Sequence, residues 1–285
     1  MISINAFYNH GDLCLKTNAC VAGQKSNFIN WIPVPKHHPT NDYCYMHSYL
    51  LNANVKPNSF GMIWESRAII PAVYQSLERH VQNFRTVYTP DSKLLETYPN
   101  TKWCPGGGIW IGGLLGEGEN KIHNKSKMIS LVSSAKKMCL LHEWRYNMAK
   151  SIYSRSSNVD VFLGENGWQP IYKSLHDYRF SVVIENNIDK WYFTEKIMNC
   201  FATGTVPIYV GATDIGKYFD LNGIIVANDF VDDKPKKFMD FINSLTERDY
   251  EQRALAIQKN YELVQKYRSI EDFIYKTYYS NGEMK

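Results

Sequence analysis

The chain has 285 residues, of which 44% are hydrophobic and 21% charged, and these proportions exclude a disordered, collagen-like or coiled-coil protein. At roughly 100–200 residues per domain, this length predicts one large domain or two smaller ones. The 32 basic and 28 acidic residues leave a formal charge of only +4, so nucleic acid is not an expected partner.

The first half of the chain predicts a strand–helix–strand series. Ser59–Trp64 is an apolar run typical of a buried strand, and it delivers Glu65 at its C-terminal end. Pro71–Phe84 follows with apolar residues at helical spacing and a proline at a favoured first-turn position. Further short strands are predicted at Arg85–Thr89 and Thr101–Cys104. This order is typical of a parallel α/β layer.

The second half repeats this order after a loop rich in glycine and polar residues at 113–127. Predicted strands are Met128–Val132, Asp160–Leu163, Arg179–Ile184, Thr205–Val210 and Ile224–Val226, and predicted helices are His142–Tyr153 and Thr194–Ala202. The remainder, from Pro235 to about Tyr279, is rich in helix. We interpret the chain as an α/β protein of two lobes, residues 1–120 and residues 121–285, the second with a helical tail.

The start of the chain and its cysteines indicate a cellular setting. Residues 1–16 lack the basic and apolar regions of a signal peptide, and no apolar run of about 18 residues could span a bilayer. The six cysteines form no C-x-x-C pair, which argues against a disulfide framework and against a zinc site. We therefore expect a soluble, cytoplasmic protein without a transmembrane segment.

The stretch Tyr178–Gly211 carries the most information about function. A predicted buried strand is followed by a polar loop and by a helix that begins at Thr194, a favourable N-cap, with Glu195 and Lys196 in its first turn. The amides and dipole of a helix N-terminus favour an anion, and ligands of open α/β sheets bind beyond the carboxyl ends of strands. The stretch therefore predicts an anion site, the alternative being an amphipathic helix whose first-turn lysine faces solvent.

The order of residues in this stretch is specific. It contains, in sequence, Glu185-Asn186, Tyr192-Phe193-Thr194-Glu195-Lys196, Val206-Pro207-Ile208-Tyr209 and Gly211. This order resembles the signature of the family 10 glycosyltransferases, the α1,3/1,4-fucosyltransferases. Weaker likeness covers Ser130–Leu163 and Trp64-Glu65-Ser66. The sequence lacks a membrane anchor, a stem and paired cysteines, and in this it resembles the soluble microbial or viral members of the family. For a viral protein, the resemblance implies that the protein is located in the host cytoplasm.

The resemblance implies a GT-B fold, with two Rossmann-like lobes and an active site in the cleft between them. It implies a nucleotide-sugar donor, GDP-fucose, on the C-terminal lobe, and a glycan acceptor on the N-terminal lobe. The resemblance also implies a role for each site residue: Glu65 is the catalytic base, and Arg145 and Lys196 hold the donor pyrophosphate. Glu195 forms hydrogen bonds with donor hydroxyls, and Asn186 and Tyr192 line the donor pocket. Glu185 completes this donor-binding set.

The chemistry of sugar transfer independently suits these residue types. An attacking hydroxyl must lose its proton, and a carboxylate such as Glu65 can accept it. The departing nucleoside diphosphate gains negative charge, which Arg145, Lys196 and helix-start amides can stabilise without a metal. Since no persuasive D-x-D motif is present, we expect neither a metal nor a further cofactor. A single displacement with one base predicts inversion at the anomeric carbon.

Alternatives remain open for residues and for function. Glu65 could stabilise the dipole of the helix at Pro71, Arg145 could pair with Glu143 or with solvent, and Tyr192 could be a packing residue. The same fold could use a different nucleotide sugar, or the chain could be a non-catalytic sugar- or nucleotide-binding protein with a degenerate site. The aromatic, basic tail at 261–280 either packs as a closing helix or makes peripheral contact with a membrane surface.

Overall fold

The computed structural model describes residues 1–9, 13–14, 18–20, 24–34, 36, 39, 42–113, 116–155, 158–164, 171–231 and 235–280. Its strands are β1 (Ile2–Phe7), β2 (Leu13–Cys14), β3 (Ala19–Cys20), β4 (Ile29–Pro33), β5 (Tyr43–Met46), β6 (Ser59–Met62), β7 (Thr86–Thr89), β8 (Thr101–Trp103), β9 (Lys127–Ser133), β10 (Val159–Leu163), β11 (Tyr178–Ile184), β12 (Val206–Val210) and β13 (Ile225–Val226). Its helices are α1 (Pro71–Leu77), α2 (Ser92–Thr97), α3 (Leu140–Arg155), α4 (Glu195–Thr203), α5 (Pro235–Ser244), α6 (Glu247–Glu251), α7 (Ala254–Val264) and α8 (Ile270–Ile274), and a π-helical turn follows at Tyr275–Tyr279.

Two parallel sheets form the framework. The first is six-stranded with the order β4-β1-β5-β6-β7-β8, and the second is five-stranded with the order β10-β9-β11-β12-β13. Every neighbouring pair in both sheets is parallel. Strands β2 and β3 form a separate antiparallel pair. Because parallel strands end at the same edge of a sheet, the loops after β6 and β11 both lie at carboxyl edges, where α/β proteins bind ligands.

The predicted series of strands and helices in both halves is confirmed, with ends that differ mostly by one or two residues. The helix expected over Pro71–Phe84 is too long, because α1 ends at Leu77. His80 leaves the helical conformation, with φ −143°, and its imidazole Nε2 lies 2.9 Å from the carbonyl oxygen of Leu50. Strands β1, β4 and β5 and helix α2 were not among the predicted elements.

Helix α8 packs in the first lobe although it follows the helices of the second. Ile270 and Ile274 are buried in the same apolar cluster as residues of β1, β4, β5 and β6. The ring of Tyr275 stacks on Phe28, with 4.4 Å between centroids. The aromatic tail therefore packs against the fold, as the first of its two interpretations predicts. Across the described parts of the chain, no helix combines the length and apolar character that crossing a bilayer requires.

The glycine-rich segment after β8 connects the two lobes. The backbone N–H of Gly106 donates to the carbonyl oxygen of Phe193 at 2.8 Å, and Gly106 forms a parallel bridge with Thr194. A Cβ at Gly106 would lie 2.9 Å from Thr194 Cγ2 and 3.0 Å from the Phe193 oxygen, so the contact requires glycine. This segment holds the end of the first sheet against the start of α4.

Candidate active site

The start of α4 is fixed by a buried carboxylate. Glu185, which follows β11, has no exposed surface. Its Oε1 accepts from the Thr194 backbone N–H at 2.9 Å, and its Oε2 accepts from the Thr194 hydroxyl at 2.7 Å. The Thr194 hydroxyl in turn accepts from the backbone N–H of Lys196 at 3.3 Å, which is an N-cap bond. Glu185 thus sets the position from which α4 begins.

The ammonium group of Lys196 lies close to the carboxylates of Glu185 and Glu195. Its Nζ lies 3.3 Å from Glu185 Oε2, 3.4 Å from Glu195 Oε1 and 3.0 Å from the Thr194 hydroxyl. Burial lowers the pKa of Lys196, but Glu195 and Glu185 raise it by more, so the net shift is upward. With 27% of its side chain exposed, Lys196 presents a permanent positive charge at the helix start rather than extending into bulk solvent.

Arg145 provides a second positive charge and is nearly buried, with 7% exposed. It lies on α3, and its Nη1 donates to the carbonyl oxygen of Ile184 at 2.8 Å. Its Nε is buried and has no hydrogen-bond partner among the described residues. Burial lowers the pKa of Arg145, Glu185 partly offsets this, and a guanidinium stays protonated nevertheless. A buried cationic donor without an acceptor favours an anionic ligand.

Glu65 belongs to the first lobe but is held by the second. Its Oε1 accepts from the backbone N–H of Ser66 at 2.9 Å, from Asn186 Nδ2 at 3.2 Å and from the Tyr192 hydroxyl at 3.4 Å. Asn186 also binds His142 Nε2 through its Oδ1, at 2.8 Å. The carboxylate therefore stands where the two lobes meet, with its orientation fixed from both sides.

These groups surround one cavity of about 710 Å³, within the size range of ligand pockets. Of the predicted site residues, those that line it are Glu65, Arg145, Asn186, Tyr192, Glu195 and Lys196. Glu185 is not among its lining residues and supports it through Thr194 and Lys196. Gly107, with φ +145°, passes beside Glu195, where a Cβ would lie 3.4 Å from the carboxylate Oε2.

Several lining residues were not predicted, among them Trp64, Trp110, Ser133, Lys136 and His142. Of these, His142 could have been found from the sequence, because it precedes Arg145 by three residues and so shares its helix face. Within the described ranges, no group of three or more His, Cys, Asp or Glu side chains is arranged to hold a metal ion.

Comparison with known proteins assigns the family. Residues 122–277 match the model of the C-terminal part of glycosyltransferase family 10 (fucosyltransferase). This match covers more than half of the chain, which therefore belongs to glycosyltransferase family 10, as the signature at Tyr178–Gly211 predicts. GDP-fucose protein O-fucosyltransferase 3 of Danio rerio is 34% identical over 84 residues, which are 29% of this chain and 18% of that relative. The chain thus matches less than a fifth of that relative's length.

Solved structures agree with the expected fold. An α1,3-fucosyltransferase with GDP superposes with a TM-score of 0.54 at 13% identity, covering 93% of this chain and 89% of the other. The α1,3-fucosyltransferase with GDP-fucose gives a TM-score of 0.52 at 12% identity, covering 93% and 90%. At such identities the likeness bears on the fold alone. It confirms an α/β, GT-B-like architecture of two Rossmann-like lobes. The cavity lies between these lobes, since it is lined by Glu65 of the first and by Arg145 and Lys196 of the second.

Proposed function

We propose that the protein transfers fucose from GDP-fucose to a sugar hydroxyl of a glycan acceptor. The observation that carries the proposal is the meeting of three charges in one cavity: Glu65 comes from the first lobe, and Arg145 and Lys196 come from the second. Family membership and the likeness to fucosyltransferases solved with GDP and GDP-fucose support this donor. The donor then lies mainly on residues 121–285 and the acceptor mainly on residues 1–120.

The proposed reaction is a single displacement. The acceptor hydroxyl loses its proton to Glu65 while its oxygen attacks the anomeric carbon, and the bond from that carbon to the diphosphate oxygen breaks. The leaving diphosphate takes the bonding electrons, and Arg145 and Lys196 stabilise its charge by charge-assisted hydrogen bonds. The proton remains on Glu65 until solvent removes it. Attack opposite the leaving group inverts the anomeric configuration, and no metal takes part.

The remaining predicted residues support this arrangement. Glu195, which lines the cavity beside Lys196, is placed to accept from donor hydroxyls. Asn186 and Tyr192 line the cavity and also donate to Glu65, so they contact both the donor pocket and the base. For Glu185, which is fully buried, we propose an indirect role in donor binding through the position of Lys196.

Donor binding is the first test, because it needs no acceptor. Thermal unfolding is followed with GDP-fucose, GDP, other sugar nucleotides and no ligand, and calorimetry follows each hit. A ligand at a hundredfold excess over its Kd stabilises the folded state by about 2.7 kcal/mol. GDP and GDP-fucose should stabilise the wild type but not Lys196→Ala. The matched control is Lys190→Ala, since Lys190 pairs with Glu96 on the surface.

Each contrary outcome has a distinct meaning. If a different sugar nucleotide stabilises the protein and GDP-fucose does not, the fold assignment is unaffected and the proposed donor is overturned. If GDP and GDP-fucose stabilise Lys196→Ala as much as they stabilise the wild type, the proposed location of the diphosphate is overturned. Binding without turnover in the presence of glycan acceptors would favour a non-catalytic binding protein. Once a product is obtained, NMR of its new linkage tests inversion, and retention of the donor's anomeric configuration would contradict the single displacement.

A further inference from the structure

A chain of hydrogen bonds runs from the start of α3 to the carboxylate of Glu65. The backbone N–H of Met138 donates to His142 Nδ1 at 3.3 Å. His142 Nε2 lies 2.8 Å from Asn186 Oδ1, and Asn186 Nδ2 lies 3.2 Å from Glu65 Oε1. His142 is buried, with 4% exposed, and Asn186 is 9% exposed. The chain therefore begins in the second lobe and ends on the proposed base in the first.

The direction of every bond in this chain follows from its first member. A backbone N–H can only donate, so Nδ1 of His142 must accept and cannot carry a proton. The neutral ring then carries its hydrogen on Nε2, which donates to Asn186 Oδ1. With Oδ1 engaged by His142, the amide group that faces Glu65 is Nδ2, a donor. A carboxylate requires a donor at that point.

The surroundings of His142 favour the neutral ring that this scheme requires. Burial lowers the pKa of His142, as does Arg145 on the same helix and Lys196 on α4, while Asn186 and Glu65 oppose them. The net shift is downward from the ordinary value of 6.5. Protonation would also place a hydrogen on Nδ1, directly against the Met138 N–H.

We propose that His142 is a positioning residue which locks the side-chain amide of Asn186 so that Nδ2 faces Glu65. This inference rests on the proposed function, in which Glu65 is the base. Without His142, the side-chain amide of Asn186 can rotate by half a turn and present Oδ1 to the Glu65 carboxylate. The two oxygens then repel each other. Glu65 then loses the Asn186 N–H that helps to orient it from the second lobe. Since a misplacement of about 1 Å can cost about a hundredfold in rate, the effect falls on turnover.

The tautomer of His142 can be tested without any turnover. Long-range ¹H–¹⁵N NMR of the histidine rings distinguishes the Nε2–H tautomer, the Nδ1–H tautomer and imidazolium, and the signal missing from His142→Gln assigns the residue. We expect a neutral Nε2–H ring at neutral pH. A ring protonated on Nδ1, alone or as imidazolium, would overturn the proposal.

Two substitutions then test the effect on the reaction. The side chain introduced by His142→Gln can place an amide N–H near the position of Nε2, whereas the side chain introduced by His142→Leu cannot donate. The probe is GDP release from GDP-fucose with water as acceptor, with the GDP affinity measured by calorimetry. We expect His142→Leu to lose about 10–100-fold in turnover with GDP affinity within about threefold of wild type, and His142→Gln to stay within about threefold in both.

The outcomes separate the two proposals. Glu65→Gln should lose turnover and keep GDP affinity. If it does, while folded His142→Leu turns over like wild type, the positioning role is overturned and the proposed function stands. Equal losses in the Leu and Gln variants would likewise overturn it, since only one of them lacks the donor. Wild-type turnover in Glu65→Gln would overturn the proposed base, and the positioning role would fall with it.

Discussion

At the scale of single residues, the site brings positive charges to the wall of a cavity. The Arg145 guanidinium donates from Nη1 to the carbonyl of Ile184, and its buried Nε has no acceptor among the residues that the structure describes. Lys196 has carboxylates on one side and the cavity on the other. A diphosphate bound in the cavity would supply acceptors for these groups and would displace water. In such a partly enclosed space, charge-assisted hydrogen bonds are stronger than in bulk water.

The lowered pKa of His142 predicts a pH dependence of stability. The unfolded chain binds a proton on this ring near pH 6.5, whereas the folded protein binds it only at a lower pH. The neutral ring therefore contributes its full stability above about pH 6.5, and this contribution is lost as the pH falls through the folded value. Melting temperatures measured from about pH 5 to 7.5 should fall more steeply on the acid side for wild type than for His142→Gln.

The variant is a suitable comparison because glutamine does not titrate and keeps an amide near the position of Nε2. The two proteins share every other ionisable group, so the difference between their melting curves isolates one proton. Curves that stay parallel over the whole range would show that the ring is equally protonated in the folded and unfolded states.

The residue types of the site could be predicted from the sequence, but their partners could not. The run from Glu185 to Lys196 is local, so its spacing is visible in the chain and predicts a helix start with a positive charge. Asn186 and Glu65 are 121 residues apart, and their contact depends on how the lobes pack. For the same reason, the sequence could not show that the Glu185 carboxylate is buried against Thr194, because that burial depends on the fold.

At the scale of elements, α4 depends on Glu185 for its position. Removing this carboxylate leaves the Thr194 N–H and hydroxyl without their acceptor and removes one counter-charge of Lys196. Each buried polar group without a partner costs about 1–3 kcal/mol. Glu185→Ala should therefore lower the free energy of unfolding by about 2–4 kcal/mol and weaken GDP binding, although its side chain does not line the cavity.

Urea unfolding and GDP calorimetry measure the two effects. Glu96→Ala is the matched control, because this carboxylate pairs with Lys190 at the surface, where ion pairs contribute about 0–1 kcal/mol. A loss of stability in Glu185→Ala with wild-type GDP affinity would mean that Lys196 keeps its position without the carboxylate. It would then contradict the indirect role of Glu185 in donor binding.

Strands and helices of the second lobe were easier to predict than those of the first, for a physical reason. Strand β11 is buried along most of its length and ends in the apolar run Val182, Val183 and Ile184, and α4 has a polar N-cap and a glycine at its end. Strands β1 and β4 mix polar and apolar residues, for example in INWIP at Ile29–Pro33. Their pairing therefore depends on tertiary contacts, which a local pattern does not contain.

At the scale of the whole molecule, the described parts of the chain pass from one lobe to the other twice. The segment at 104–126 leads from β8 to β9, and α8 returns to the first lobe. Asp272 on α8 accepts from the Ser26 hydroxyl at 2.6 Å and from the Asn27 backbone N–H and side-chain amide at 2.9 and 2.7 Å. The last helix thus closes the first lobe.

Glu271 makes this closure testable, because it is a buried carboxylate inside the first lobe. It has 1% exposed surface, burial raises its pKa, and it accepts from the indole N–H of Trp31 at 3.1 Å and from the Ser269 hydroxyl at 3.0 Å. Glu271→Ala leaves the Trp31 indole without this acceptor and creates a cavity. We expect a loss of about 2–4 kcal/mol in unfolding free energy.

The location of the effect decides the question. If α8 is a structural part of the first lobe, amide hydrogen exchange in Glu271→Ala should speed up in β1 and β4, while β11, β12 and the GDP affinity change little, since Arg145 and Lys196 lie in the second lobe. Glu271→Gln keeps an acceptor oxygen for the indole and should lose less than half as much stability. The opposite result would be faster exchange in the second lobe, with β1 as well protected as in the wild type. It would mean that α8 stabilises the second lobe, with which it shares the family match at residues 122–277.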